Sequence, residues 1–357
     1  MARARKKIVI VGAGIIGASI AYRLTRAGCD VTVLEADESG GLATRHSFAW
    51  INASWGNPEF YVHFRRRAMA EWRQLAIEVP AIGVNFCGGL IWDLPAPELD
   101  AFATEHEGWG YGVRRVDRTG ALAVEPGLKA PPDFALHVAE EGMVEPVVAA
   151  LALLSAAGIV PVNARAISLI FQAGQVTGVA TDIGPFHADE VVLAAGAQTA
   201  LLAGTAGLSL AMTAPAGLIA HSERAGAQLL RGLVLSPQFH VRQTAEGRLI
   251  VGSDFAGHDP KDEGQAMAER LLAQVRDMVR GSEGLALDFF SVGHRPTPAD
   301  GFPLIGRPGE TPGLYVAVMH SGVTLAPLVG MLAAKELAAG DRDPLLAPYD
   351  PDRLPIG

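Results

Sequence analysis

The chain has 357 residues, more than one typical domain, and 49% of them are hydrophobic, enough for two cores or one large composite core. Its formal charge of −9 argues against a nucleic-acid partner, since phosphate backbones are bound by basic surfaces. Cys29 and Cys87 are too few for a disulfide framework or a four-cysteine metal site, so a cytoplasmic protein without a metal is expected.

Arg3, Arg5, Lys6 and Lys7 read as a solvated basic tail, and no apolar run with a cleavage site precedes the first strand, so no secretory signal is expected. Lys7-Ile8-Val9-Ile10-Val11 is β-branched and ends in glycine, as a buried parallel strand feeding a tight turn should. The turn is Gly12-Ala13-Gly14-Ile15-Ile16-Gly17. Gly12 permits it, Gly14 lets the backbone approach a pyrophosphate, and Gly17 lets the next helix pack closely on the strand. That helix is predicted over about Ile15 to Ala27, with Gly28 as its stop and its positive end aimed at the phosphates. A strand then delivers Glu35, roughly twenty residues past the last glycine, where it can accept hydrogen bonds from an adenosine ribose. A carboxylate there disfavours a 2′-phosphate. Strand, glycines, helix, strand and acid in this order point to a dinucleotide.

Residues 36–47 lack apolar periodicity and read as a loop able to wrap a ligand. Phe60 to Val79 reads as a long amphipathic helix burying Phe64, Met69, Trp72, Leu75 and Ala76. A strand near Gly89 opens a mixed region running to about Glu140, and the pair Glu140-Glu141 reads as a solvated turn. Glu145-Pro146 to Ala157 is expected as a helix, Ile159 to Val162 as a strand, and Ala166 to Ala180 as a hairpin. Val147 to Val162, the longest apolar stretch, is too short to span a bilayer. Val191 to Leu193 is an apolar strand closing on the small residues Ala194 to Ala197, which would let a ligand lie against the backbone. Leu208 to Phe290 changes to strands with one helix, Gln265 to Val279. Gly313 to Met319 is then a strand, His320-Ser321-Gly322-Val323-Thr324 a turn, and Leu325 to Ala339 a helix.

The fold expected is α/β: a Rossmann-like nucleotide-binding domain built from the separated segments 1–80, 141–207 and 291–357, with a sheet-rich α+β substrate domain from 81–140 and 208–290 threaded between them.

The Gly12 fingerprint with Glu35, the segments Glu141 to Pro146, Ala188 to Ala197 and Gly293 to Gly306, and Gly313 to Ala317 leading to His320-Ser321-Gly322-Val323-Thr324-Leu325-Ala326-Pro327 occur together in one order. In these the sequence resembles the flavin-dependent amine and amino-acid oxidoreductases related to D-amino-acid oxidase, glycine oxidase and sarcosine oxidase, over nearly the whole chain. The resemblance implies FAD as cofactor and a small amine or amino acid as substrate. It implies that Gly12, Gly14, Ile15, Ile16, Gly17, Glu35, Ala36, Ala43, Thr44, Arg45, His46, Ala166, Ala195, Gly196 and Gly293 contact the cofactor. Ser321, Gly322, Val323 and Thr324 would lie against the flavin ring, where a helix N-terminus suits the negative charge of a reduced flavin. Arg295 in Gly293-His294-Arg295-Pro296 would pair with the substrate carboxylate, whose geometry a guanidinium fork matches. His240 stands where relatives often carry a tyrosine lining the substrate cavity, and His320 is shared with many relatives, although Met319 replaces the glycine that precedes it there.

Some relatives attach flavin to a histidine, and His46 is near the right place, but its surroundings match poorly and noncovalent FAD is expected; no cysteine follows Cys87 to make the alternative link. The implied reaction takes hydride from Cα–H to flavin N5, gives an imine that water hydrolyses, and passes electrons to oxygen, a quinone or another carrier. Oxidation of a 2-hydroxy acid or polyol, and a flavin-binding subunit without turnover, are the alternatives. The sequence leaves the oligomeric state open.

Overall fold

The structure is a computed structural model, described here for residues 5–37, 39–54, 56–252, 263–309 and 311–354; Arg3 of the basic tail and position 38 of the ligand loop lie outside this set.

The N-terminal elements fall where the sequence puts them: β1 (Lys7–Val11), α1 (Ile15–Arg26) and β2 (Asp30–Glu35). β1 pairs in parallel with β2 on one side and with the strand Glu190–Leu193 on the other. The full sheet runs Leu304–Gly306, Leu314–Val318, Glu190–Leu193, β1, β2, Val162–Asn163, and only its first strand is antiparallel. Side chains alternate across β1, so Ile8 and Ile10 enter one core and Val9 and Val11 another. The first core lies under α1, α3 (Glu59–Glu78) and the C-terminal helix Gly322–Ala339, and contains the fully buried Trp72 and Tyr315. The second lies under the antiparallel strands Ala166–Gln172, Gln175–Thr181 and Gly184–His187. The sheet is therefore covered on both faces, as a parallel sheet requires.

An eight-stranded sheet forms the other half: Leu287–His294, Ala216–Arg224, Arg248–Gly252, His240–Gln243, Leu233–Leu235, Gly89–Ile91, Ala135–Val138 and Val113–Val116. Its strand Leu287–His294 runs without a break through residue 290, where the sequence places a boundary.

The structure departs from the sequence reading at four places. The loop 36–47 contains a one-turn helix, α2 (Leu42–Arg45), entered through Gly41 at φ 72°. The strand expected at Ile159–Val162 shrinks to Val162–Asn163, because only those residues reach the edge of β2. The C-terminal helix starts at Gly322 instead of Leu325, since Ser321 turns the chain with φ 57° and the N–H of Leu325 already reaches the carbonyl of Ser321 at 3.2 Å. At 18 residues it, and not Val147–Val162, is the one described helix long and apolar enough to cross a membrane, yet it packs inside the fold against α1 and α3. Finally, Glu141 is not solvated: it is fully buried, while Glu140 beside it caps the N–H of Gly112 at the surface.

Candidate active site

Two glycines close the first turn by crowding. Gly12 has φ 110°, donates its N–H to Leu34 at 2.8 Å, and lies so near the end of Glu190–Leu193 that a Cβ would stand 2.4 Å from the carbonyl oxygen of Ala194. A Cβ on Gly17 would stand 1.9 Å from the carbonyl oxygen of Gly12. Ala195 and Gly196 follow beside this turn, with open space where a Gly196 side chain would be.

Glu35 ends β2 and braces the turn: Oε2 accepts from the N–H of Ala13 at 2.8 Å, and Oε1 from Ala36 at 3.0 Å and Asp37 at 3.3 Å. With Asp37, Ser39, Pro161 and Asn163 it lines a cleft of about 540 Å³ beyond the carboxyl ends of the strands, the place where doubly wound sheets take ligands. Ala166 is not in that lining; it opens the strand Ala166–Gln172 just past Ala164, which donates to the carbonyl of Glu35 at 2.9 Å.

α2 lies over the start of α1. A Cβ on Gly41 would meet Cα of Gly14 at 2.6 Å, and Thr44 Oγ1 accepts the N–H of Ile15 at 3.1 Å. Ala43, Thr44 and Arg45 are thus carried on a turn set against the helix N-terminus. The chain then crosses to the eight-stranded sheet. His46 presses on Gly293, where a Cβ would meet its own Cβ at 2.5 Å. Its Nδ1 is buried without a hydrogen-bond partner among the described residues, and burial, then Arg45 and His294, hold its pKa below the usual range. Phe48 and Trp50 stand with ring centroids 6.3 and 6.4 Å from His240.

The C-terminal turn meets this segment from the other side. A Cβ on Gly322 would lie 3.5 Å from Ile16, so the N-termini of α1 and the C-terminal helix are neighbours. With the first intrahelical bond made by Leu325, the N–H groups of Gly322, Val323 and Thr324 have no intrahelical acceptor. Thr324 Oγ1 donates to the carbonyl of Trp50 at 3.1 Å, and the indole of Trp72 donates to the carbonyls of Val323 and Thr324 at 3.0 and 3.2 Å. Buried Arg65 donates to Ser321 Oγ at 3.2 Å and to Asn52 through Nε at 2.9 Å and Nη2 at 2.6 Å. His320, exposed, has Nδ1 3.0 Å from Ser321 Oγ and sits at the rim.

One face of the large sheet collects the remaining groups. Gly217 pairs with Gly293, Ile219 with Ser291 and Gly252, and Gly252 with His240. Arg295 lies flat over Gly217, with Nη2 2.8 Å and Cζ 3.1 Å from where a Cβ would stand. The guanidinium is half-buried and, among the described residues, meets no carboxylate. Among the described residues, Gly252, between Ile219 and His240, has no neighbour closer than 3.9 Å to its missing side chain. Arg295 and His240 therefore rise from one floor about two strands apart, with a glycine between them and His46, Phe48 and Trp50 across from them.

The sequence matches the FAD dependent oxidoreductase family, DAO, over residues 7–336. The chain belongs to that family. Two curated relatives match end to end: the uncharacterized oxidoreductase YurR of Bacillus subtilis, 26% identical over 97% of this chain and 98% of its own length, and a glycine oxidase of Pseudomonas aeruginosa, 29% identical over 97% and 98%. The crystal structure of glycine oxidase from Geobacillus kaustophilus superposes with a TM-score of 0.86 at 25% identity, covering 99% of this chain and 100% of that one. The family assignment makes FAD the cofactor and the chain an FAD-dependent oxidoreductase. Its residues fit the group: a crowded glycine turn under a helix N-terminus, an acid at the end of β2, and a second helix N-terminus whose first N–H groups have no intrahelical acceptor.

Sequence reasoning missed Asn52, Arg65, Gly217 and Glu141. Gly217 had a signal, a glycine opening an apolar strand. Arg65 and Glu141 take partners from distant segments, Ser321 for the first and Trp50, Ser54 and Tyr111 for the second.

Proposed function

We propose that this enzyme oxidises the C–N bond of a small amine or amino acid, with the substrate carboxylate held by Arg295 and His240 forming part of the cavity wall. The observation that carries this is the half-buried guanidinium over Gly217, without a carboxylate among the described residues and on the same sheet face as His240. A half-buried guanidinium without a carboxylate partner gains by pairing with an anion, and an anionic substrate supplies one. The name of the glycine oxidase relatives agrees with such a substrate.

In this reading 1–80, 141–207 and 291–357 form the FAD-binding domain. Gly12, Gly14, Gly17 and Glu35 would hold the adenosine and pyrophosphate of FAD noncovalently, and the N–H groups of Gly322, Val323 and Thr324 would be donors available to its ring. Bound there, FAD supplies the hydride acceptor, the substrate leaves as an imine that water hydrolyses, and oxygen, a quinone or another carrier takes the electrons. The protein's share is orientation: a bidentate grip on the carboxylate fixes Cα, and the walls formed by His46, Phe48, Trp50 and His240 exclude water. No side-chain base is required, because a neutral amine releases hydride without one.

The test is anaerobic bleaching of the flavin by D-amino acids, L-proline analogues, glycine and sarcosine. Bleaching by at least one of these supports the reading, whereas bleaching only by 2-hydroxy acids or polyols contradicts it.

A further inference from the structure

We propose that Glu141 is a positioning residue of the active site: its carboxylate fixes the indole of Trp50, and that indole sets the width of the substrate space facing His240. The location of the substrate rests on the function proposed above; the bond between Glu141 and Trp50 does not.

Glu141 lies where the chain leaves the strand Ala135–Val138 for the nucleotide-binding half, its carbonyl accepting from Gly88 at 2.9 Å. Its side chain is fully buried. Oε2 accepts from Trp50 Nε1 at 2.8 Å, and Oε1 accepts from Ser54 Oγ and Tyr111 Oη, both at 2.6 Å. The tyrosine oxygen itself accepts from the N–H of Ala53 at 3.0 Å, so its proton is directed to the carboxylate. All three partners are donors, the set that suits an ionised, acceptor-only carboxylate. Among the described residues no cation pairs with it directly; Arg65, the cation that acts on it, is linked through Asn52, whose Oδ1 also accepts from the N–H of Ser54 at 3.2 Å. Burial pushes its pKa up to about 7 against the pull of the three donors. An acid so desolvated is costly to keep, and an apolar residue would fill the space at lower cost.

Its arrangement points to the indole. Among the described residues one carboxylate oxygen is given to Trp50 alone, and it has room there because position 89 is glycine, whose Cβ would stand 2.6 Å from Oε2. The backbone of Trp50 is tied by Thr324 to the first turn of the C-terminal helix, and its ring meets His240 edge-on at 67°. The helix turn thus fixes where Trp50 starts, and Glu141 fixes how its ring points. Without the bond, the indole can swing toward or away from His240.

The experiment compares crystal structures and steady-state kinetics of the FAD-loaded wild type, Glu141→Gln, Trp50→Phe and the double variant. The amide conserves volume but cannot offer acceptors to all three donors. Glu141→Gln is expected to shift the indole and raise KM for the best substrate about tenfold, with kcat within twofold. In the Trp50→Phe background the same substitution should change KM less than twofold. An unmoved indole, or an equal KM effect in both backgrounds, overturns the proposal. If Glu141→Gln does not fold, Trp50→Phe decides: it deletes the N–H that Glu141 accepts and narrows the ring facing His240, and an unchanged KM overturns the proposal while a tenfold rise supports it. Failure of every amine and amino acid to turn over would sink the proposed function, and the position of the indole in the crystals would still decide the role of Glu141.

Discussion

Arg295 occupies the space above Gly217 that a side chain there would need, with Nη2 2.8 Å from the absent Cβ. Gly217 lies in an ordinary strand with no positive φ, so alanine suits its backbone. The atom in the way is the end of a flexible side chain and can move. Gly217→Ala should therefore fold with a stability loss of no more than about 1 kcal/mol, keep its FAD, and raise KM for a carboxylate substrate about tenfold by displacing the guanidinium. Urea unfolding and kinetics on one preparation check both halves of this expectation.

Gly17 is the opposite case, because the atom a Cβ would strike is the backbone oxygen of Gly12 at 1.9 Å. Neither α1 nor the turn can yield without moving the other. Gly17→Ala should lose most bound FAD and several kcal/mol of stability, in the range of severe overpacking. Gly28→Ala, where nothing lies within 4 Å but φ is +85°, should cost only about 1 kcal/mol and leave FAD in place. The flavin-to-protein absorbance ratio and the thermal midpoints separate the two.

His221 stacks on Phe289 with ring centroids 4.2 Å apart. Burial, then Arg242, Arg248 and His46, pushes its pKa from 6.5 down to about 4. The unfolded chain thus takes up a proton between about pH 6.5 and 4 that the folded one refuses, and the corresponding stability, complete above pH 6.5, is lost as pH falls through that window. His221→Phe removes this term. The stability of wild type relative to the variant should fall on acidification from pH 6.5 to 4 in urea titrations; a difference independent of pH would show that the ring does not titrate this way.

Arg242 is 1% exposed, donates to the carbonyl of Phe48, and pairs with Glu145 at 2.9 Å. Arg242→Met leaves Glu145 without its cation and frees Phe48 from the sheet. A loss of about 1–2 kcal/mol is expected, because a buried hydrogen-bonding cation is lost while the carboxylate left behind is one-third exposed and can be solvated. Glu145→Gln added to it should recover part of that loss, measured by a double-mutant cycle.

What the sequence made legible follows from distance along the chain. β1, α1 and β2 are consecutive, and their glycines, apolar periods and terminal acid all report on neighbours within a few turns. The C-terminal turn was recognisable as a strand-to-helix junction for the same reason, although its boundary moved to Gly322 because Ser321 adopts a left-handed conformation with no glycine to announce it. Glu141 could not be read this way. An adjacent pair of glutamates carries the local signature of a solvated turn, and the donors that bury the second one come from Trp50, Ser54 and Tyr111. Arg295 was identified from its motif, but its seat on Gly217 depends on the pairing of strands far apart in sequence.

Whether Arg295 binds the substrate carboxylate is decided by comparing Arg295→Ala and Arg295→Lys with wild type on one amino acid and its decarboxylated amine. Alanine is expected to raise KM for the amino acid at least a hundredfold, lysine to recover only part of this because it lacks the bidentate fork, and the amine and the bound FAD to be unaffected. Equal losses for the amino acid and the amine, or unchanged kinetics with the amino acid, would contradict it.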